Sequence, residues 1–375
     1  MRKDSSVELI RIIACLMVIG VHIGLGPMDG DSYDLGRTYL SCIVADGVAI
    51  FWMVAGFFLF KKTYKSVLLK TKKNIVIPLV IYSAGCFYLY RWLLDDFTLV
   101  QSILAPTKED YVNVIKTLFT WSNPVPCGSH LWYLYTYILI MIIFPVLKSF
   151  VVYLEEDVKR EKIFVIMSFA FLIMNDISVN KLGGFSLQTV GALIPACIEI
   201  IYGHILYKNR EKFFACKYFF IGIISFLGIN FIRAIIQYKR FFMGLDNSLL
   251  FWFSSLGVLC TVSVIIGGFS LNHIINSTKI QSIICYMGSC TFYIYLIHNY
   301  IIVWVEKYGI KGAVVSLLNG IKIRSLYDVC YMCILTMIIF VLSMIGAVLI
   351  KKISAAIVQI YHKCRLEFEN VKLLL

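Results

Sequence analysis

Charge is what this sequence lacks. Asp, Glu, Lys and Arg make up 15% of its 375 residues, against 60% apolar residues, where a soluble domain is roughly a quarter charged and about half apolar. With a mean hydropathy of +0.82, a soluble fold is excluded and a polytopic membrane protein is implied. Several catalytic signatures are missing as well. There is no G-x-S-x-G, no H-E-x-x-H, no P-loop and no GxGxxG ahead of a soluble helix. No stretch resembles a metal cluster or a nucleic-acid module, so neither metal nor nucleic acid is expected. The net charge of +13 is read instead as the positive-inside bias of cytoplasmic loops. No inter-domain linker, low-complexity tract or internal repeat stands out. The twelve cysteines are scattered through apolar runs, as small buried residues are. Even the C-x-x-C of Cys330 and Cys333 sits inside the run VCYMCILTMI with no second pair nearby.

What is present is a series of apolar runs. Ten are long enough to be read as crossings: about 7–26, 43–60, 75–94, 131–151, 163–175, 187–207, 216–234, 248–270, 283–305 and 328–350. The fifth is the shortest and ends at Asn175-Asp176. Loop 61–74, KKTYKSVLLKTKKN, holds six lysines, whereas loop 95–130 sets Asp95, Asp96, Glu109 and Asp110 against two lysines. That contrast places the N-terminus inside and, with an even number of crossings, the C-terminus inside too. The expected fold is therefore all-α: a membrane helix bundle of about ten helices over 1–352, followed by a short cytoplasmic tail, 353–375, read as an interfacial helix. The N-terminus is not expected to be a cleaved signal peptide, because Arg11 interrupts the apolar run and no A-x-A site follows.

The rest of the chain is read as a wall around ELIRIIACLMVIGVHIGLG, residues 8–26. Ionisable groups inside a membrane are costly and mark function by default. Arg11 and His22 are eleven residues apart, roughly 16 Å along a helix and about three full turns, so both point to one face near opposite ends. They are expected to look into a common tunnel. Glu8 and Arg11, three apart, can pair. Two readings of Arg11 stand side by side: an orientation anchor at the cytoplasmic interface, or an anion site for a phosphate or carboxylate. His22 is either a hydrogen-bonded packing residue or a proton-handling group.

His298, in YIYLIHNY, should match His22 in depth, which suggests a shared cavity. Alternatively a neighbour such as Tyr295 or Asn299 satisfies it. Lys70 and Lys73 belong to a belt that meets anionic lipid, and they are also close enough to the third crossing to reach a cofactor phosphate. His130 opens the fourth crossing beside Trp132 and Tyr133 and is placed to face a substrate from outside. His204, His273 and His362 lie near the inner surface and carry no assignment.

Four stretches in order resemble the acyltransferase 3 family of bacterial integral-membrane acyltransferases, many of which O-acetylate surface polysaccharides. Arg11-x10-His22 resembles the family's first-helix signature. GVAIFWMVAGFFLF is similar to its second-helix run, HLWYL to its W-Y-L start of a later helix, and MGSCTFYIYLIHNYII to its late I-Y-L-I-H segment. Two departures are visible. The usual R-x-x-R at the third helix looks like Lys70 and Lys73, which keep the charge without the bidentate fork. The usual serine before Gly-Phe is Ala55.

The resemblance implies acyl transfer from cytoplasmic acyl-CoA, usually acetyl-CoA, to a hydroxyl or amine of a glycan or lipid-linked glycan. It also implies residence in a bacterial plasma membrane. On this reading Arg11, with Lys70 and Lys73, holds the polyanionic head of the donor. His22 is the general base or a transient acyl carrier, and His298 orients it or the acceptor, with His130, Tyr295 and Asn299 near the acceptor. Other classes remain open: a transporter or flippase of a lipid-linked sugar or small anion, or a transferase whose acceptor is a lipid, a peptidoglycan fragment or a small molecule.

Overall fold

The computed structural model describes residues 4–30, 32–94, 128–178, 192–245, 248–271 and 277–374, with isolated positions between them, and in the last helix the side chains as far as Ile353. Helix α1, Ser5–Ile23, starts where the Asp4 carboxylate accepts a hydrogen bond from the Ser6 backbone N–H at 3.1 Å. It stops at Gly24, whose φ of 56° lies in the left-handed region a residue without a Cβ enters freely. A two-residue hairpin follows, β1 (Met28–Asp29) antiparallel to β2 (Ser32–Tyr33), with Met28 opposite Tyr33. Helix α2, Leu35–Val44, is capped by Asp34 through the Arg37 N–H at 2.7 Å. It leads across Asp46 into α3, Gly47–Leu59.

Helix α4, Tyr64–Thr71, passes through a π-helical turn, Lys72–Val76, into α5, Ile77–Leu94. A 3-10 turn, Ser129–Leu131, opens α6, Trp132–Ile142. A bend of 68° separates it from α7, Phe144–Glu155, where Pro145 cannot donate a helical hydrogen bond. Then come α8 (Val158–Ser178), α9 (Leu193–Lys208), α10 (Lys217–Phe242) and α11 (Ser255–Ser270). Helix α12, Thr278–Gly288, is bent by 56° from α13, Thr291–Lys307. Helices α14, Ile310–Leu318, and α15, Arg324–Leu374, close the chain.

The described helices are built for lipid. On α10, Phe220, Ile224, Phe231 and Ile232 are exposed while Asn230, Arg233 and Gln237 are fully buried. That is the reverse of a soluble helix, and it fits a bundle whose polar groups face inward. Small residues let backbones close up: a Cβ at Gly203 of α9 would run into the backbone of Met53, and one at Gly56 of α3 into that of Ile200. Helix α1 lies at the centre, packed on α2, α3, α11, α12, α13 and α15.

Among the described residues each expected crossing falls on a helix or a bent helix pair; residues 187–191 of the sixth lie outside them. Among the described residues, five stretches are long and apolar enough to span by themselves: Ser5–Ile23, Leu35–Leu59, Tyr64–Trp92, Lys217–Phe242 and Arg324–Ile353; counting each bent pair as one span gives seven. The fifth, sixth and eighth runs form α8, α9 and α11, which fall outside that set; α9 and α11 are 16 residues each. The boundary expected at 352/353 lies inside α15, whose 51 residues run unbroken to Leu374. At 1.5 Å per residue that is roughly 75 Å, more than twice the hydrocarbon core.

Candidate active site

Arg11 and His22 do sit on one helix and do each meet a void, but the voids are two. An inner cavity of about 480 Å³ is lined by Arg11 and Glu8 with Lys62, Ala55, Tyr133, Tyr137 and Tyr295 among others. An outer cavity of about 340 Å³ is lined by His22 with Ser41, Trp132, Trp252, Val48 and Met332 among others. They share no lining residue, so the expected common tunnel is corrected to two chambers. The partition is local in sequence. In α6, Trp132 faces the outer chamber while the next residues, Tyr133 and Leu134, face the inner one; in α3, Val48 is outer and Phe51 inner. The Tyr133 ring lies 6.3 Å from that of Phe51 and 5.5 Å from that of Tyr295.

At the inner chamber the expected pair is present: Arg11 Nη1 lies 3.2 Å from Glu8 Oε2, with the arginine side chain 31% exposed. The second cation on this wall is Lys62, which the sequence reading passed over. Burial and the neighbouring Lys70 hold its ammonium below the ordinary lysine range. Lys70 and Lys73 themselves are exposed and line neither cavity. The reason is helical phase: Val67 and Thr71, one turn apart, are the buried residues of α4, which turns Lys70 outward. Ala55, standing where the family usually has serine, is on the inner wall.

At the outer chamber three imidazoles from three elements meet. His22 of α1, exposed to the cavity, has its ring centre 5.2 Å from that of His298 on α13 and 6.1 Å from that of His130. His130 and His298 are 4.6 Å apart. His22 and His298, expected at one depth, lie side by side. His298 is fully buried; its Nδ1 lies 2.7 Å from the Tyr295 carbonyl oxygen, and its Nε2 has no hydrogen-bond partner. His130, expected to face an outside substrate, is 2% exposed. Its Nε2 lies 3.0 Å from the same Tyr295 carbonyl, the Asn299 amide nitrogen is 2.9 Å from its Nδ1, and its own carbonyl accepts from the Tyr295 hydroxyl. Thus His130, Tyr295 and Asn299, expected at the acceptor, are bonded to one another. The inward turn of His130 comes from the 3-10 turn before α6, which apolar periodicity does not report.

A further buried polar group escaped the sequence reading. Asp46, at the break between α2 and α3, accepts from Arg233 of α10 at 2.9 and 3.1 Å, both side chains fully buried. The signal was available: an aspartate and an arginine interrupting apolar runs. No group of His, Cys, Asp and Glu able to hold a metal is found among the described residues.

Fold and cavities together define a multi-pass helical membrane protein with a cavity toward each end of its first helix. The family model described as an acyltransferase domain, that of the acyltransferase 3 family, matches residues 4–351, and the chain belongs to that family. No curated protein and no solved structure matches it.

Proposed function

We propose that this membrane acyltransferase moves an acyl group, most simply acetyl, from cytoplasmic acyl-CoA to a hydroxyl of a bacterial cell-envelope glycan or lipid-linked glycan. The observation that carries the reading is α1 itself: Arg11 on the wall of one chamber, His22 on the wall of the other, with the buried His298 behind it. The donor's phosphates are assigned to Arg11 and Lys62, the two cations on the wall of a cavity of about 480 Å³ that Asp4 and Glu8 also line. Its arm runs toward the partition, and the thioester reaches His22 when the rings of Phe51, Tyr133 and Tyr295 part.

At the outer chamber His22 takes the proton of the acceptor hydroxyl as that oxygen attacks the thioester carbonyl. The C–S bond breaks, and the leaving thiolate recovers the proton from His22, giving an ester and free thiol. His298 lies behind the His22 ring and orients it.

The test uses the full chain in nanodiscs with acetyl-CoA and a glycan extract. Thiol release that rises with the extract, with label appearing on glycan, is expected. Movement of a lipid-linked sugar or small anion across proteoliposomes without any thioester cleavage would overturn the reading in favour of transport.

A further inference from the structure

The partners of His130 and His298 fix where their ring protons sit. A backbone carbonyl only accepts, so a nitrogen bonded to one carries a proton. The Tyr295 carbonyl receives both His298 Nδ1, at 2.7 Å, and His130 Nε2, at 3.0 Å. With one proton each, His298 is the Nδ1–H form with a bare Nε2, and His130 is the Nε2–H form with a bare Nδ1. The Asn299 amide nitrogen, 2.9 Å from that Nδ1, donates to it. One carbonyl and one amide thereby set two rings, and the only unmatched lone pair they leave is His298 Nε2, buried and without a hydrogen-bond partner, on a ring 5.2 Å from that of His22.

We infer that Asn299 and His130 are positioning residues that lock the proton arrangement of the histidine cluster, keeping His298 Nε2 bare to receive the N–H of His22 and so turning the other nitrogen of His22 into the base. This rests on the acyl-transfer reading for its catalytic consequence but not for the proton assignment. The chain of dependence is physical. If His130 carried its proton on Nδ1, its Nε2 would present a lone pair to the Tyr295 carbonyl, and two acceptors would face each other in a buried site. The carbonyl and the α13 turn that carries it would shift, and His298 Nδ1–H bonds that same oxygen.

The experiment labels the full chain with ¹⁵N-histidine in nanodiscs and assigns the signals with His130→Gln and His298→Gln. Expected are a protonated Nε2 and bare Nδ1 for His130, and a protonated Nδ1 and bare Nε2 for His298. Asn299→Asp keeps the shape but offers an acceptor where the amide donated, so the single proton of His130 moves from Nε2 to Nδ1. With it kcat falls roughly tenfold while the KM for acetyl-CoA stays within about twofold and Tm is kept. A wild-type spectrum with the opposite protons overturns the assignment. An unchanged kcat despite moved protons, or a kcat loss that tracks a fall in Tm, overturns the positioning role. The spectra decide the assignment whether or not transfer is observed, so failure of the acyl-transfer reading leaves a different record from failure of this one.

Discussion

At the scale of single residues, two predictions separate the inner-chamber cations. Lys62→Ala raises the KM for acyl-CoA by roughly tenfold, the size of one hydrogen bond to a charged group. Lys70→Ala and Lys73→Ala, on the exposed side of α4 and in the turn after it, change it by less than about twofold; steady-state kinetics on the three variants check the ranking. Arg11→Ala has an effect at least as large as Lys62→Ala, because it also leaves Glu8, 7% exposed, without its partner. Arg11, His22 and His298 were legible because each interrupts an apolar run, where an ionisable group needs a reason. Lys62 was hidden in a loop of six lysines that all read alike. Which of them faces a cavity depends on how α3 ends and where α4 starts, and composition carries no trace of that. His130 was legible as a residue of interest but not in its direction.

At the scale of elements, the buried charges decide how α2, α3 and α10 hold together. Arg233 Nη2 donates to the Phe251 carbonyl at 2.8 Å and its Nε to that of Leu249, besides pairing with Asp46. Removing one partner of such a pair leaves a buried charge unmatched, which costs about 3–5 kcal/mol. Arg233→Met therefore lowers the midpoint of thermal unfolding sharply, and adding Asp46→Asn recovers part of the loss. A double variant whose fall equals the sum of the falls of Arg233→Met and Asp46→Asn alone would show the charges act independently. Glu199 of α9 is the opposite case: fully buried, with neither carboxyl oxygen hydrogen-bonded. An isolated carboxylate there would be costly, so Glu199→Gln is expected to keep the thermal midpoint, measured in the same assay. Gly203→Val should separate α9 from α3, since even a Cβ meets the Met53 backbone, and should lower the yield of folded protein on size exclusion. The helices themselves were readable from apolar runs. The bends at Ile143 and at Ser289–Cys290 were not, because a bend inside an apolar stretch leaves the hydropathy profile unchanged.

At the scale of the whole molecule, two chambers on one helix replace a single passage. On the proposed reading the thioester must pass the rings of Phe51, Tyr133 and Tyr295, which line the inner cavity, and Phe51→Trp, which adds bulk there, is expected to slow turnover while leaving the KM for the donor in place. The inside placement of the basic loops is testable through Cys216, exposed between α9 and α10. In intact cells an impermeant maleimide should label it only after permeabilisation, with Cys216→Ser as the reference. Labelling of intact cells would invert the topology. The family was legible because its matching stretches are short and lie along the helices that form the two chambers. The separation of those chambers was not, since residues that share a helix face by spacing can still meet different cavities, whose walls come from other helices.

The most direct measurement is turnover of acetyl-CoA by purified His22→Ala beside the wild type, both shown to be folded by their thermal midpoints. The account predicts transfer in the wild type and its loss, by at least a hundredfold, in the variant. Turnover retained at the wild-type rate by a folded His22→Ala would contradict it.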